Sequence, residues 1–299
     1  MTKDDVAREM RNLQDYICGE LEKLDSKGQF IEDKWERDQG GGGRTRIIES
    51  DQLIEKGGVN FSEVYGEVTP TMKKNTEITG DSFFATGVSI VLHPNNPHVP
   101  IIHMNVRYFE MDNGTYWFGG GIDLTPHYIV PAQAKEFHLG LKSICDKYNE
   151  SFYLKFKTWA DNYFFIPHRN ETRGVGGIFF DHISEDDSIS KQDILDFCME
   201  LGRSFPTLYA HQANLGREKA FSEEEFSWMQ LRRGRYVEFN LVHDRGTKFG
   251  LVSGGRTESI LMSLPKNASW VYNNVPLPTS REEATQELLR KDVDWVNIV

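Results

Sequence analysis

Residues 103–109 read HMNVRYF. Successive side chains of a β-strand point to opposite faces. His103, Asn105 and Arg107 therefore share one face, and Met104, Val106 and Tyr108 share the other. One face is core; the other carries a base, an amide and a guanidinium. Upstream, Phe83–Leu92 also reads as a strand, with Ser89, Val91 and His93 on one face opposite Val88, Ile90 and Leu92. The connection HPNNPHVP, residues 93–100, holds three prolines and two asparagines, which fits a loop between neighbouring strands. Pairing the two strands assembles Ser89, His93, His103, Asn105 and Arg107 on one wall. Hydrogen-bond donors dominate it, which suits carboxylate recognition. The same alternation also describes the solvated face of an ordinary half-exposed sheet.

A third strand is expected at Tyr116–Leu124, where Trp117, Gly119, Gly121 and Asp123 share a face. Glycines inside a strand mark close approach by a ligand or another backbone, or else a bulge or bend. Outside this block the period is helical. Val6, Met10, Leu13, Ile17, Leu21 and Leu24 form one stripe at steps of three and four. Helices are expected at 132–148, Phe152–Phe164, Ser190–Leu201, from Ser222 and from Ser280. Glu225 and Glu283 sit three residues after these last two serines, as a capping box requires. Gly40–Gly43 reads as a loop, and Tyr236–Val242, Lys248–Val252 and Ile260–Leu264 read as strands. Strands and helices come in blocks, which favours α+β with a largely antiparallel sheet. No linker or composition break divides the chain, so residues 1–299 are expected to form a single domain.

The 299 residues carry 34 Lys and Arg against 45 Asp and Glu, a net charge of −11. That balance argues against a general nucleic-acid binder. No apolar run approaches the roughly 18–20 residues of a membrane span. Cys18, Cys145 and Cys198 are widely spaced and odd in number, which fits neither a disulfide framework nor a thiolate zinc site. The N-terminus lacks the apolar core of a secretory signal and carries Asp4, Asp5 and Glu9 too early for a transit peptide. A cytoplasmic protein is the expectation.

Other residues carry chemistry less specifically. His93, His103, His138 and His168 are metal-ligand types without a short paired motif. Arg232, Arg233 and Arg235 read best as cations closing a helix near Gly234. Asp244 is expected in a turn after a strand, placed to hold N–H groups or act as a base. Gly254 and Gly255 precede Arg256 and can aim backbone N–H groups at an anion.

Long stretches resemble one family, the oxygen-dependent coproporphyrinogen III oxidases: GGGGRTR, NFSEVYGE, GVSIVLHPNNPHVP, HMNVRYF, WFGGGIDLTP, HRNETRGVGGIFFD, RRGRYVEFNLVHDRGTKFGL and GGRTESILMSLP. They span about residues 35–272. The resemblance implies a large antiparallel sheet with helices on both faces, in a homodimer whose interface includes residues 236–270. It implies oxidative decarboxylation of two propionates of coproporphyrinogen III to vinyl groups, giving protoporphyrinogen IX, with dioxygen as oxidant and carbon dioxide and peroxide as products. Ser89, Asn105, Val106, Arg107, Gly254, Gly255 and Arg256 match family substrate contacts. His103 matches the proton donor, and Asp244 a carboxylate that holds pyrrole N–H groups. Arg107 is expected to hold the reacting carboxylate. His93, His103, His138 and His168 match metal-ligand positions of bacterial members, with manganese as the candidate ion. A ligated His103 cannot also serve as a free proton donor, so turnover is expected to need no metal or other cofactor. A non-catalytic tetrapyrrole carrier is the alternative from another class. A metal-dependent hydrolase or oxygenase built on the four histidines is a third.

Overall fold

The computed structural model describes residues 1–68, 80–252 and 255–298. Its centre is the expected run of hairpins. Strands β1 (Ile31–Glu36), β2 (Gly41–Ile48), β3 (Ile54–Glu67), β4 (Ser82–Pro94), β5 (Ile101–Met111), β6 (Tyr116–Thr125) and β9 (Gly176–Ile183) form one seven-stranded antiparallel sheet in that order. A separate short pair, β7 (Phe165–Ile166) and β8 (Glu171–Thr172), lies outside it.

The apolar face of the sheet is the core. Val88, Ile90, Leu92, Met104, Val106 and Tyr108 are all buried there. The stripe of α1 (Lys3–Asp25) covers this face together with α2 (Pro131–Tyr148), α3 (Phe152–Tyr163) and α4 (Lys191–Asn214). Each fully buried aliphatic side chain contributes about 1.5–3 kcal/mol. The opposite face meets α5 (Glu223–Glu238) through Tyr236 and α7 (Thr257–Leu261) through Ser259; a π-helical turn (Phe239–His243) and α6 (Arg245–Val252) lie between these two helices in the chain. Helix α8 (Arg281–Leu288) follows. The fold is therefore α+β, with helices on both sheet faces. Among the described residues, no helix is long and apolar enough to cross a membrane.

Two sequence expectations fail here. The glycine tract is strand, not loop: Gly41–Gly43 pair with β3, and Gly42 and Gly43 also with β1. A β-carbon on Gly43 would lie 2.4 Å from both the Phe61 carbonyl and the Trp35 ring. Glycine is there because the backbones and the indole close over it. The segments at Tyr236–Val242, Lys248–Val252 and Ile260–Leu264 are not strands but helix and turn. Tyr236, Phe239 and Asn240 recur at helical spacing and point to one buried site, a pattern that alternation imitates over a few residues. Helix α4 also continues well past Leu201, through Pro206 to Asn214.

Nor do the three arginines close a helix at Gly234. Helix α5 starts at the expected capping box on Ser222 and runs on to Glu238. Arg232 pairs with Glu171 at 2.9 Å, Arg233 with Glu55 at 2.6 Å, and Arg235 with Glu238 at 3.1 Å. Arg233 also donates to the Pro94 carbonyl at the end of β4. The Arg232 and Arg233 contacts anchor α5, and hence the π-helical turn after it, onto the strand ends, while the Arg235 pair stays within the helix. Arg232→Ala strands the buried Glu171 and should destabilise the fold by about 3–5 kcal/mol. Arg235→Ala should cost markedly less, since Glu238 keeps Arg169 and His168. Denaturant unfolding of both variants checks the contrast.

Candidate active site

Sheet register places the polar side chains in rows. Asn60, Ser89, Asn105 and Gly121 are successive cross-strand partners on β3 to β6. The next row is Ser62, Gly87, Arg107 and Gly119. On the other side, Gly58, Val91, His103, Asp123 and Gly177 are in line. The centre of this face is thus nearly bare of large side chains. It forms a flat floor with Ser89, Asn105 and Arg107 half-buried upon it.

Two walls flank the floor. On the β2–β4 side lies the chain around α7. Ser259 meets Thr45 at 2.7 Å and accepts from Asn60 at 2.7 Å, and Leu264 accepts from Lys56 at 2.9 Å. On the β9 side the Tyr163 and Phe179 rings stack at 4.0 Å. The Tyr163 hydroxyl donates to Asp244 at 2.8 Å. Asp244 ends the π-helical turn, and its other oxygen accepts from the Thr247 N–H at 2.6 Å. It caps α6 and does not follow a strand, yet it stands beside the floor with acceptor capacity left on both oxygens.

His103 and Asp123 are direct cross-strand partners, and Nδ1 lies 2.8 Å from the carboxylate. Asp123 also accepts from Arg173 at 2.7 Å, and Arg173 donates to Asn240 at 2.9 Å. The Arg173 guanidinium sits 4.4–4.7 Å from the ring centres of Phe164, Tyr236 and Phe239. Burial alone would raise the Asp123 carboxyl. The charge of Arg173 and the contacts with His103 outweigh it and hold the group below its ordinary range. Asp123 is therefore ionised and accepts the His103 Nδ1 proton. That leaves Nε2 as the nitrogen for exchange with a ligand.

Arg107 has a partner too. Its Nη2 donates to Asp181 at 2.7 Å. The polar face is consequently less dominated by donors than the strand pattern suggests, because β6 and β9 supply Asp123 and Asp181. The sequence reading does not single out Arg173, Asp181, Tyr163 or Asn240. Asp181 shares the alternation of Phe179 and could have been found by pairing β9 with β6. Arg173 lies in the irregular link before β9 and carries no periodic signal.

The other expected site residues divide. The Val106 side chain is buried in the core on the opposite face, so only its backbone adjoins the site. Arg256 pairs with Asp33 at the β1 end of the floor. The Gly255 N–H donates to the Gly250 carbonyl at 2.8 Å and is not free for an anion. Gly254 lies outside the described residues.

The four histidines do not meet. His93 is buried, with Nε2 on the Ser263 carbonyl at 2.8 Å. His138 is buried in the core, its nitrogens on the Tyr153 hydroxyl and the Val175 carbonyl, and burial pushes it down to about 4. It donates to the carbonyl and accepts from the phenol, so no lone pair is left for an ion. His168 contacts Glu238 and His243 at 2.8 and 2.9 Å. Among the described residues no group of three or more His, Cys, Asp or Glu is arranged to hold a metal. The residues do not fit the implied metal centre.

Comparison with known proteins agrees with the motifs. The family model described as coproporphyrinogen III oxidase matches residues 5–295. Two proteins named oxygen-dependent coproporphyrinogen-III oxidase, from Prochlorococcus marinus strains NATL1A and NATL2A, are each 43% identical over 307 residues. Each alignment covers 95% of this chain and 88% of the relative.

The Asp123–Arg173 pair makes a prediction in pH. A carboxyl depressed on folding stabilises the fold fully above its unfolded pKa, and that stability is lost as pH falls through the folded value. Asp123→Asn should cost about 3–5 kcal/mol at neutral pH, because it leaves Arg173 buried without its counter-ion. The gap to the parent protein should narrow below about pH 4. Urea unfolding of both proteins across pH measures it.

Proposed function

Because the chain belongs to the coproporphyrinogen III oxidase family, we propose that it oxidatively decarboxylates two propionate arms of coproporphyrinogen III to vinyl groups, with dioxygen as oxidant, on the floor between α7 and β9. The observation that carries this placement is the floor itself. A broad surface of glycine, serine and asparagine admits a macrocycle, with Arg107 and the His103–Asp123 pair upon it. A tetrapyrrole with four propionates is large, mostly apolar in its rings and anionic at its rim.

The roles follow from position. Arg107 holds the reacting carboxylate through its donors that face away from Asp181, and Ser89 and Asn105 add hydrogen bonds from the adjoining row. Asp244 accepts pyrrole N–H groups, with Tyr163 fixing its orientation. Loss of a pyrrole proton makes the ring electron-rich enough to react with dioxygen. The peroxide so formed takes the β-hydrogen of the propionate. The bond to the carboxylate then breaks, its electron pair becomes the vinyl double bond, and carbon dioxide leaves. Per arm, the propionate carboxylate, dioxygen and one proton give vinyl, carbon dioxide and hydrogen peroxide. His103 Nε2 is placed to supply that proton. No step is routed through a metal, since the four histidines do not converge.

Homodimerisation through residues 236–270 belongs to the same proposal. Leu241, Val242, Leu251, Val252 and Trp270 are exposed along that stretch, as are Val271, Tyr272 and Val275 just after it. Exposed apolar side chains concentrated in one stretch of chain fit an interaction surface. Light scattering should give twice the chain mass, and Val252→Glu with Leu241→Glu should shift it to the monomer.

The activity test is aerobic and anaerobic incubation with coproporphyrinogen III after chelator treatment, with products oxidised and separated. Protoporphyrin should form only with oxygen. Arg107→Ala and Asp244→Ala should each lower kcat/KM by about a hundredfold or more. Near-normal turnover by a folded Asp244→Ala would remove the pyrrole-holding role. Lost activity restored by manganese would overturn the metal-free reading.

A further inference from the structure

The pairing of Arg107 with Asp181 is built into the sheet by an irregularity. Between β6 and β9 the register shifts: Phe118 faces Ile183 while Gly120 faces Phe180. Gly119 alone therefore stands against both Asp181 and His182. His182 takes a left-handed backbone, φ +52°, which residues with a β-carbon rarely adopt. Bulges of this kind re-aim a side chain, and they gather beside active sites. Here the bulge turns Asp181 inward across the sheet. The His182 N–H donates to Asp181 Oδ1 at 2.9 Å, and the His182 ring stacks on Trp117 at 4.9 Å. Asp181 Oδ2 is left to accept from Arg107.

Gly119 is what lets the two meet. A β-carbon there would lie 2.6 Å from Asp181 Oδ1 and 2.8 Å from Arg107 Nε. Asp181 thus occupies the Gly119 side of the guanidinium. The Nη1 donors and the rest of the fork are free for a second carboxylate, and the Arg107 side chain is 42% exposed. Arg107 stands at the centre of the floor, and its charge is already met by Asp181. A site meant only to bind a carboxylate tightly would leave that charge uncompensated.

We propose that Asp181 is a positioning residue that tempers Arg107: it fixes the outer edge of the fork toward the substrate carboxylate while weakening its grip. The proposal rests on the role given above to Arg107. Its chemical sense lies in the departure step. The carboxylate bound to Arg107 must lose its charge as the bond to it breaks and carbon dioxide leaves. A full, unshared guanidinium charge stabilises the carboxylate in the ground state and not the neutral product, which slows release. A second carboxylate on the same guanidinium raises the ground state through like-charge repulsion. Binding is weaker and departure faster.

The test is Asp181→Asn, which keeps the shape and one acceptor oxygen. Asp181 is partly exposed on an edge strand, so the variant folds. Binding is read with coproporphyrin III, which cannot react, by fluorescence quenching, and turnover with coproporphyrinogen III. Asp181→Asn should lower both Kd and KM about threefold or more and lower kcat about tenfold. A purely structural role would raise KM or leave both constants unchanged, and either result would overturn the proposal. Tighter binding with undiminished kcat would overturn it as well. Arg107→Ala is measured alongside. If it leaves coproporphyrin III binding unchanged, the role of Arg107 fails and the Asp181 proposal falls with it. If it weakens binding and Asp181→Asn does so too, Arg107 stands and Asp181 is only an anchor.

Discussion

The Arg173 guanidinium is buried among the rings of Phe164, Tyr236 and Phe239 and is neutralised by Asp123. Four parts of the chain meet on it. Phe164 ends α3, Asp123 lies on β6, Tyr236 on α5, and Phe239 and Asn240 on the π-helical turn. A charge this deep is tolerable only while its counter-ion and hydrogen bonds persist. The arrangement therefore holds the turn that ends at Asp244 against the strand that bears Asp123, and Asp123 in turn sets the His103 tautomer. His103 and Asp244, the two groups to which the proposal gives proton and pyrrole roles, are both held in place by this one buried cation.

The polar face that carries the proposed site and the core are two sides of the same strands. Met104, Val106 and Tyr108 fix the register of β5 by burial, since a slip of one residue would turn them to solvent. The same burial aims His103, Asn105 and Arg107 the other way. Small residues on the neighbouring strands then leave the floor open, and the β9 bulge reaches back over Gly119 to Arg107. Rigidity comes from the sheet, and chemistry comes from what the sheet omits.

Much of this was legible in the residues. The β4–β5–β6 hairpins, the apolar stripe of α1 and the capping box at Ser222 follow local rules, and the structure has them. At Ser280 only half of the expected box forms: the serine accepts from the Glu283 N–H, while the Glu283 carboxylate turns to the Thr279 N–H. The Ser89–Asn105 row and the shared face of His103 and Arg107 follow from period two. The glycine tract misleads because β2 owes its strand form to ladders on both sides and to the Trp35 ring, not to propensity. The stretch after Tyr236 misleads because a buried face at helical spacing also alternates over five residues. Arg173 had no local signal at all, since its place depends on the meeting of distant elements. The four histidines share a residue type but not a place: His138 is packed in the core, and His168 lies beside Glu238 at the far end of α5.

The central claim is that the macrocycle lies on the floor between α7 and β9. The direct measurement is a crystal structure of the protein with coproporphyrin III. The account predicts the ring system over β4–β6, one propionate on Arg107, and ring N–H groups within hydrogen-bond reach of Asp244. A macrocycle bound elsewhere, with Arg107 still closed on Asp181 alone, would contradict it.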